Sequence, residues 1–326
     1  MFKAPAFWAA GSASVWPLLL GPLATLYGLG NRLNRAFATA PENPIPVISV
    51  GNLVAGGAGK TPVALALAGL LQKAGQRPHF VSRGYGGKLT GPVRVDPKAH
   101  RASDTGDEPL LLAEVAPTWI GRDRPQAVTA AAKAGASCIV ADDAHQTYRL
   151  RRTASILVVD SDYGFGNGRL LPAGPLREEI AAGLARSDAI VILGDGTAPL
   201  PDLGAKPVFR ARLVPHPEDV HHLQGKRVLA FAGIARPEKF FSSLEQAGAI
   251  IAGRRPFPDH MAYDEDLIMR LVEDAHAQKA VPVTTAKDLV RFPPEARPMV
   301  ECLRVTLRFD DESAVARFLT ERLPHV

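Results

Sequence analysis

The sequence predicts an α/β fold: a mainly parallel sheet covered by helices on both faces, followed by a smaller α/β unit and preceded by an apolar helical segment. Three observations predict it. Short, continuous apolar runs such as Ile156-Leu157-Val158-Val159 and Ala189-Ile190-Val191-Ile192-Leu193 alternate with segments of helical spacing, the pattern of strands buried on both faces. One such run, Ile45 to Val50, leads into Gly51-Asn52-Leu53-Val54-Ala55-Gly56-Gly57-Ala58-Gly59-Lys60-Thr61, and a helix-spaced segment follows. Finally, no charged residue lies between Lys3 and Arg32.

Strand, glycine-rich turn, Lys-Thr and helix together make a nucleotide phosphate cradle, the P-loop. Glycines let backbone N–H groups approach phosphate oxygens without an intervening Cβ. The helix directs its positive end at the anion. Val54, Ala55, Gly56, Gly57, Ala58, Gly59, Lys60 and Thr61 are therefore the candidate ATP-binding residues. Lys60 would reach the β- and γ-phosphates, and Thr61 would ligate Mg²⁺. The strict pattern has glycine where this chain has Val54.

Along the chain, Val63 to Ala74 reads as a helix ended by Gly75, and His79-Phe80-Val81-Ser82 as a strand running into Arg83-Gly84-Tyr85-Gly86-Gly87. Residues 88–106 read as a loop with short strands. Asp107 suits a helix N-cap, with Pro109 in the first turn. A helix over 124–134 precedes the strand Cys138 to Ala141, which ends at Asp142-Asp143. Right-handed crossovers put the P-loop and the strand-end aspartates on one carboxyl edge. Residues 196–216, rich in proline and glycine, read as an inter-domain connection with some strand content at 208–213. The alternation resumes at Val228 to Gly233, a helix from Pro237 and a strand over 281–285. The expected division is 1–35, an N-terminal segment; 36–205, the P-loop domain; and 206–326, the smaller unit. No internal repeat is visible.

The apolar start includes Trp8, Trp16, Leu18, Leu19, Leu20, Leu23, Leu26, Tyr27 and Leu29, interrupted by Pro17 and Pro22. It reads as an interfacial or inserted helical hairpin anchored by Trp8, Trp16 and Tyr27. A full span and a helix packed on the protein's own core are the alternatives. Arg32 and Arg35 suit the cytoplasmic side of an anionic membrane. The absence of a clean cleavage site argues against a signal peptide. The net charge of +5 favours an anionic partner, but no aromatic-interleaved basic stripe is present, which argues against nucleic acid. Two distant cysteines, Cys138 and Cys302, fit a reducing compartment better than a metal–thiolate site.

Four further segments could carry chemistry. Asp142 and Asp143 end a buried strand beside the P-loop, where nucleotidases hold magnesium. Asp107-Glu108 opens a helix, and capping competes there with a catalytic role. Residues 164–178 form a long non-periodic loop carrying Arg169 and Arg177, both suited to forked phosphate contacts. Phe257-Pro258-Asp259-His260 places an Asp-His pair in the second unit.

Read together, these segments resemble the tetraacyldisaccharide 4'-kinase family, the lipid A kinases of Gram-negative bacteria. The matching pieces run in the family's order from Val50-Gly51-Asn52 and Gly56-Gly57-Ala58-Gly59-Lys60-Thr61-Pro62 through Ser82-Arg83-Gly84-Tyr85-Gly86, Gly106-Asp107-Glu108-Pro109 and Asp142-Asp143. They continue with Gly166 to Glu178, Phe231-Ala232-Gly233-Ile234-Ala235, Phe257-Pro258-Asp259-His260 and Thr284-Thr285. Leu170-Leu171-Pro172-Ala173-Gly174-Pro175-Leu176-Arg177-Glu178 is the most specific, and the displaced P-loop glycine is itself a family trait. The apolar start is similar to the family's membrane-embedded helix. Three departures stand out. Ala144-His145 replaces the family's Gly-Phe, Ala286 replaces its Glu before Lys287-Asp288, and Met261 follows His260 in place of an aromatic residue or histidine.

The resemblance implies transfer of the ATP γ-phosphoryl group to the 4'-hydroxyl of a lipid-linked glucosamine disaccharide 1-phosphate. It also implies Mg²⁺ and a monomer at the cytoplasmic face of the inner membrane. Lys60 would stabilise the transferring charge, and Thr61, Asp142 and Glu178 would place the metal. Asp107 would activate the hydroxyl with His260 orienting it, the pair assembling when the cleft closes. Arg177, Arg169 and Asp143 would meet the acceptor. The competing expectation is a membrane-associated partitioning or assembly ATPase, but Ala55 stands where that class carries a signature lysine.

Overall fold

A computed structural model of the chain describes residues 4–323. Its strands are β1 (Val47–Gly51), β2 (Pro78–Ser82), β3 (Val93–Arg94), β4 (Thr118–Ile120), β5 (Cys138–Ala141), β6 (Ala154–Asp160), β7 (Ala189–Leu193), β8 (Val208–Pro215), β9 (Arg227–Ala232), β10 (Ile250–Pro256), β11 (Val281–Thr285), β12 (Glu301–Leu303) and β13 (Val305–Phe309). The larger sheet has the order β13-β8-β7-β6-β1-β5-β2-β4-β3, and the smaller β10-β9-β11-β12. Only the edge pairs β13–β8 and β3–β4 are antiparallel. The mainly parallel α/β fold read from the apolar runs is the one observed.

Successive residues of β1 serve opposite faces, as the two-residue strand period requires. Ile48 and Val50 join Leu67 and Leu71 of the P-loop helix Lys60–Lys73 on one face, and Val47 joins Ala127, Val128 and Ala131 of helix Arg124–Lys133 on the other. With β1 between β5 and β6, its carboxyl end lies in the middle of the sheet edge, so the P-loop and Asp142 emerge side by side.

The expected division at residue 206 needs correction. β8 belongs to the larger sheet, and so do β13 and helix Glu312–Thr320 at the end of the chain. Val315, Phe318 and Leu319 of that helix sit in the same core as Leu67 and Leu71. β8 read as a connection because only one of its eight residues, Ala211, is buried, so it lacks an apolar run. The smaller sheet is thus an insertion spanning 227–303.

At the start of the chain, helices Trp16–Leu19 and Gly21–Ala36 follow a short turn Ala6–Trp8. The longer helix buries two small residues, Ala24 and Gly28. A Cβ at Gly28 would lie 2.7 Å from Leu170 Cδ1, so glycine allows this close approach. The large side chains point away: Leu18, Leu19, Leu23, Leu26, Leu29, Leu33 and Phe37 are all exposed. No helix among the described residues is long and apolar enough to cross a membrane. Trp8 is not an interface anchor either. It is 5% exposed, and its indole N–H donates to Pro172 O at 3.1 Å.

Phe318 tests the return of the chain to the larger sheet. It packs edge-on against Phe209 of β8, with ring centroids 5.5 Å apart. Phe318→Ala should cost about 3–5 kcal/mol of stability. Denaturant unfolding monitored at the nucleotide domain checks this, and a loss confined to the smaller unit would contradict the topology.

Candidate active site

The P-loop is held in shape by the 164–178 loop. Ala55 N–H donates to Pro175 O at 2.8 Å and Arg177 N–H to Leu53 O at 2.7 Å, with Val54 bridged to Leu176. Val54 is buried in a cluster with Leu53, Leu157 and Leu176, which explains a valine where the strict pattern has glycine. Gly59, with φ of 74°, caps the Lys60–Lys73 helix from the left-handed region. The buried side-chain amide of Asn52 has neither its nitrogen nor its oxygen satisfied among the described residues. An unfilled polar demand beside an open glycine cradle fits a bound polyphosphate.

Lys60 and Thr61 each meet one of the strand-end aspartates. Thr61 Oγ1 donates to Asp142 Oδ2 at 3.1 Å, and Lys60 Nζ lies 3.6 Å from Asp143 Oδ1. Asp142 is fully buried, and its carboxyl is pushed up to about 7, first by burial and then by the neighbouring Glu108 charge, against the pull of Lys60. Asp143 goes the other way. Burial opposes ionisation, but Lys60, Arg177 and Arg124 outweigh it and hold the carboxyl down at about 2. Arg177 forks Asp143 at 3.0 and 3.1 Å. Asp143 also has φ of 47°, a strained value for a residue with a Cβ. Thr61 and Asp142 suit Mg²⁺, which is held by one or two protein oxygens together with substrate phosphates.

Glu178 is not brought to this pair. It is 3% exposed, with one oxygen accepting from Gln146 at 2.9 Å and the other from Arg186 at 2.5 Å. Both oxygens are committed, so Glu178 braces the loop instead of ligating metal. Arg169 is exposed and forms no ion pair among the described residues. Arg177 uses Nη1 to hold both oxygens of Asp143.

The second cluster lies across from the P-loop, where Gly57 approaches the smaller unit closely enough that a Cβ there would lie 3.2 Å from Ala235 Cβ. Asp107, 5% exposed, accepts from His260 Nδ1 at 2.9 Å and from Arg291 Nε at 3.0 Å, with Lys287 Nζ 4.0 Å away. Burial raises its pKa, but His260, Lys287 and Arg291 together bring it well below the usual carboxylate range. The two residues singled out on separate units therefore touch, and they do so without any further closure, contrary to expectation. His260 has φ of 58° and meets the Tyr85 ring edge-on at 6.1 Å. Lys287 also bridges Glu108 and Asp259, each at 3.6 Å.

The sequence reading missed Arg291 and the role of Lys287. Their spacing of four, following Thr284-Thr285, was the available signal, but it spans a short helix, Ala286–Leu289, and the turn after it, with no periodic run around them. Arg291 is anchored by Asp288, which also accepts from Tyr263 at 2.9 Å and from Gly233 N–H at 2.9 Å. A second bridge between units was missed too: Arg236 and Lys239 meet Asp160 at 2.8 and 3.2 Å.

His145, one of the departures, is fully buried and held neutral, its pKa lowered to about 3 mainly by burial. Gly183 O can only accept, so Nε2, 3.2 Å away, carries the proton. Nδ1 then accepts from Ser155 Oγ at 3.2 Å, and Ser155 accepts from Ser49 at 3.1 Å. The imidazole thus satisfies a polar chain under the Asp142-Asp143 turn that an aromatic ring would leave open.

Comparison with known proteins places these features in context. The tetraacyldisaccharide-1-P 4'-kinase family model matches residues 16–324. A tetraacyldisaccharide 4'-kinase of Rhodospirillum centenum is 50% identical, covering 98% of this chain and 97% of the relative. One from Rhodospirillum rubrum is 47% identical, covering 99% of each. A crystal structure of LpxK from Aquifex aeolicus in complex with ATP superposes with a TM-score of 0.75 at 25% identity, covering 94% of this chain and 99% of that one.

The Asp142 environment generates a pH prediction. The folded protein keeps a proton on Asp142 that the unfolded chain, with a carboxyl near 3.9, has released. This group's contribution to stability therefore falls as pH rises from about 4 to about 7. Without magnesium, Asp142→Asn should be more stable than wild type at about pH 8 and lose that advantage near pH 5. Urea unfolding at the two pH values checks this, and an equal difference at both would contradict it.

Proposed function

The chain belongs to the tetraacyldisaccharide-1-P 4'-kinase family, and from that premise we propose how its own residues carry the reaction. The reaction is ATP-dependent phosphorylation of the 4'-hydroxyl of a tetraacyldisaccharide 1-phosphate in lipid A biosynthesis. The assignment of roles rests on one observation above all: the Asp107–His260 contact of 2.9 Å, made between two units at the edge that also carries the P-loop.

Residues 54–61 cradle the ATP phosphates, and Lys60 leaves Asp143 to meet charge on the transferring group. Thr61 and Asp142 hold Mg²⁺, which when bound offsets phosphate charge. The acceptor's hydroxyl oxygen bonds to the γ-phosphorus as the bond to the bridging oxygen breaks, and ADP leaves. The hydroxyl proton passes to the Asp107 carboxylate. With its pKa depressed, Asp107 is a weak base, so it orients the hydroxyl first and takes the proton late, as a loose transition state permits. His260 fixes the carboxylate's direction and shares the proton through Nδ1. Lys287 and Arg291 keep Asp107 ionised.

The membrane side follows from the outward face of helix Gly21–Ala36. Leu23, Leu26, Leu33 and Phe37 are all exposed on one side of this helix, and grouped exposed apolar side chains mark an interaction surface. We assign it to the cytoplasmic surface of the inner membrane, where it lies in the interface and does not span. The protein acts there as a monomer and needs no nucleic acid.

Two experiments test this reading. With radiolabelled ATP and a tetraacyldisaccharide 1-phosphate, Asp107→Ala and His260→Ala should each lower kcat by about 10²–10⁴-fold. The double variant should fall far short of the product of the two losses. Fully multiplicative losses would separate the residues. For the membrane, Leu26→Glu with Leu33→Glu should release the protein from vesicles while leaving the melting temperature within about 2 °C, because both side chains are already exposed. Undiminished vesicle binding would contradict the assignment.

A further inference from the structure

The two units also meet at Asp160, beside the phosphate cradle. Asp160 ends β6, which pairs with β1 up to Gly51 and Leu157, so its carboxylate lies on the sheet edge from which the cradle emerges. Asp160 Oδ2 accepts from Arg236 at 2.8 Å and from Lys239 at 3.2 Å. Its Oδ1 accepts the backbone N–H groups of Asp162 and Tyr163 at 2.9 and 3.2 Å. Lys239 also meets Asp162 at 2.6 Å, whereas Arg236 lies over the Tyr163 ring, 5.1 Å from its centre.

The two cations differ in where they are rooted. Arg236 follows Ala235, whose Cβ would lie 3.2 Å from a Cβ on Gly57. Gly57 is in the middle of the cradle, and it and Ala235 are both exposed to solvent. Adjacent Cα atoms are about 3.8 Å apart, so the long Arg236 side chain starts beside the backbone that receives the β- and γ-phosphates. Lys239 is rooted further along, inside helix Pro237–Gln246. Asp160 is also built to release Arg236. Burial opposes its ionisation, but Arg236 and Lys239 outweigh it and hold the carboxyl below its usual range. When Arg236 leaves, Lys239 stays between the two acids, and both backbone donors stay on Oδ1. The Arg236 side chain is 32% exposed, and an ion pair so open to water is weak. A polyphosphate offers more negative charge than one carboxylate, and a guanidinium can fork it through two parallel N–H groups.

We propose that Arg236 changes partner when nucleotide binds, swinging from Asp160 to the β- and γ-phosphates and returning to Asp160 as ADP leaves. Arg236 is then a phosphate ligand supplied by the smaller unit. Asp160 is the competing anion that weakens nucleotide binding and so favours release of product. The inference rests on the kinase reading given above, to which it adds a residue on the donor side.

The test uses two variants that break the same bridge from opposite sides. The Kd of a non-hydrolysable ATP analogue with Mg²⁺ is measured by calorimetry on the full chain in detergent micelles. Arg236→Gln should weaken binding by about 10–100-fold, the range expected for charge-assisted contacts to phosphate. Asp160→Asn should tighten it by about 2–5-fold. That substitution removes the competing charge, while its amide oxygen still accepts the two backbone N–H groups. Arg236→Lys keeps the charge but loses the fork, and should fall between wild type and Arg236→Gln. A bridge that only joins the two units predicts a loss of the same sign in both variants, and that result overturns the proposal. Weaker binding confined to Asp160→Asn also overturns it, by making the carboxylate itself the nucleotide ligand, as does no change in either variant. Failure of wild type to transfer phosphate from ATP to a tetraacyldisaccharide 1-phosphate would instead remove the kinase reading, which the binding measurement does not depend on.

Discussion

The backbone pairing of Leu53–Ala55 with Pro175–Arg177 is the contact on which the rest of the site depends. Two hydrogen bonds, at 2.8 and 2.7 Å, dock the 164–178 loop against the phosphate cradle. The same loop then delivers Arg177 to Asp143, receives Trp8 at Pro172, and accepts Asn31 Nδ2 at the Arg177 carbonyl, 2.6 Å away. The donor cradle, the acid beside it and the N-terminal helix are all registered on one irregular segment. A loop can do this because its own interior is satisfied: Asn167 bonds to Phe7 O and Ala173 O, and Leu176 N–H to Arg169 O.

Neighbouring acids in this protein are driven to opposite ends of their range by what surrounds them. Asp142 faces inward, buried against Thr61 and near Glu108, and resists ionisation. Asp143, one residue on, faces three cations and stays charged. The same division separates Asp107, held ionised by the smaller unit, from Glu108, which adds to the field at Asp142. Acid pairs on strand ends and helix starts therefore separate the phosphate side of the reaction from the hydroxyl side without any large distance between them.

Much of this was legible in the sequence. The apolar runs announced the parallel strands because buried strands need no polar alternation, and Gly59-Lys60-Thr61 announced the cradle because few other arrangements have that chemistry. Asp107 and His260 were also named from sequence, and they touch. What escaped notice has a common physical cause. β13 is an edge strand and β8 its neighbour, and both carry weak apolar patterns. Lys287 sits on a short helix whose identity comes from what it packs against, and Arg291 in the turn that follows it. Glu178 was expected at the metal, but successive residues of an extended segment point to opposite sides, so with Arg177 facing Asp143 its neighbour turns to Gln146 and Arg186.

The threading of the last strand carries a consequence for how the protein is made. β8 cannot be covered on its outer side until β13 and its helix have left the ribosome, and the whole smaller unit is made between them. The apolar face of helix Gly21–Ala36 emerges before either. In the interval a nascent chain exposes both a greasy surface and an unpaired strand, the two features that most invite aggregation. Early capture of the N-terminal helix by the bilayer would shield one of these hazards while the other waits for its partner, so the surface we assign to the bilayer in the finished enzyme would also protect the unfinished one.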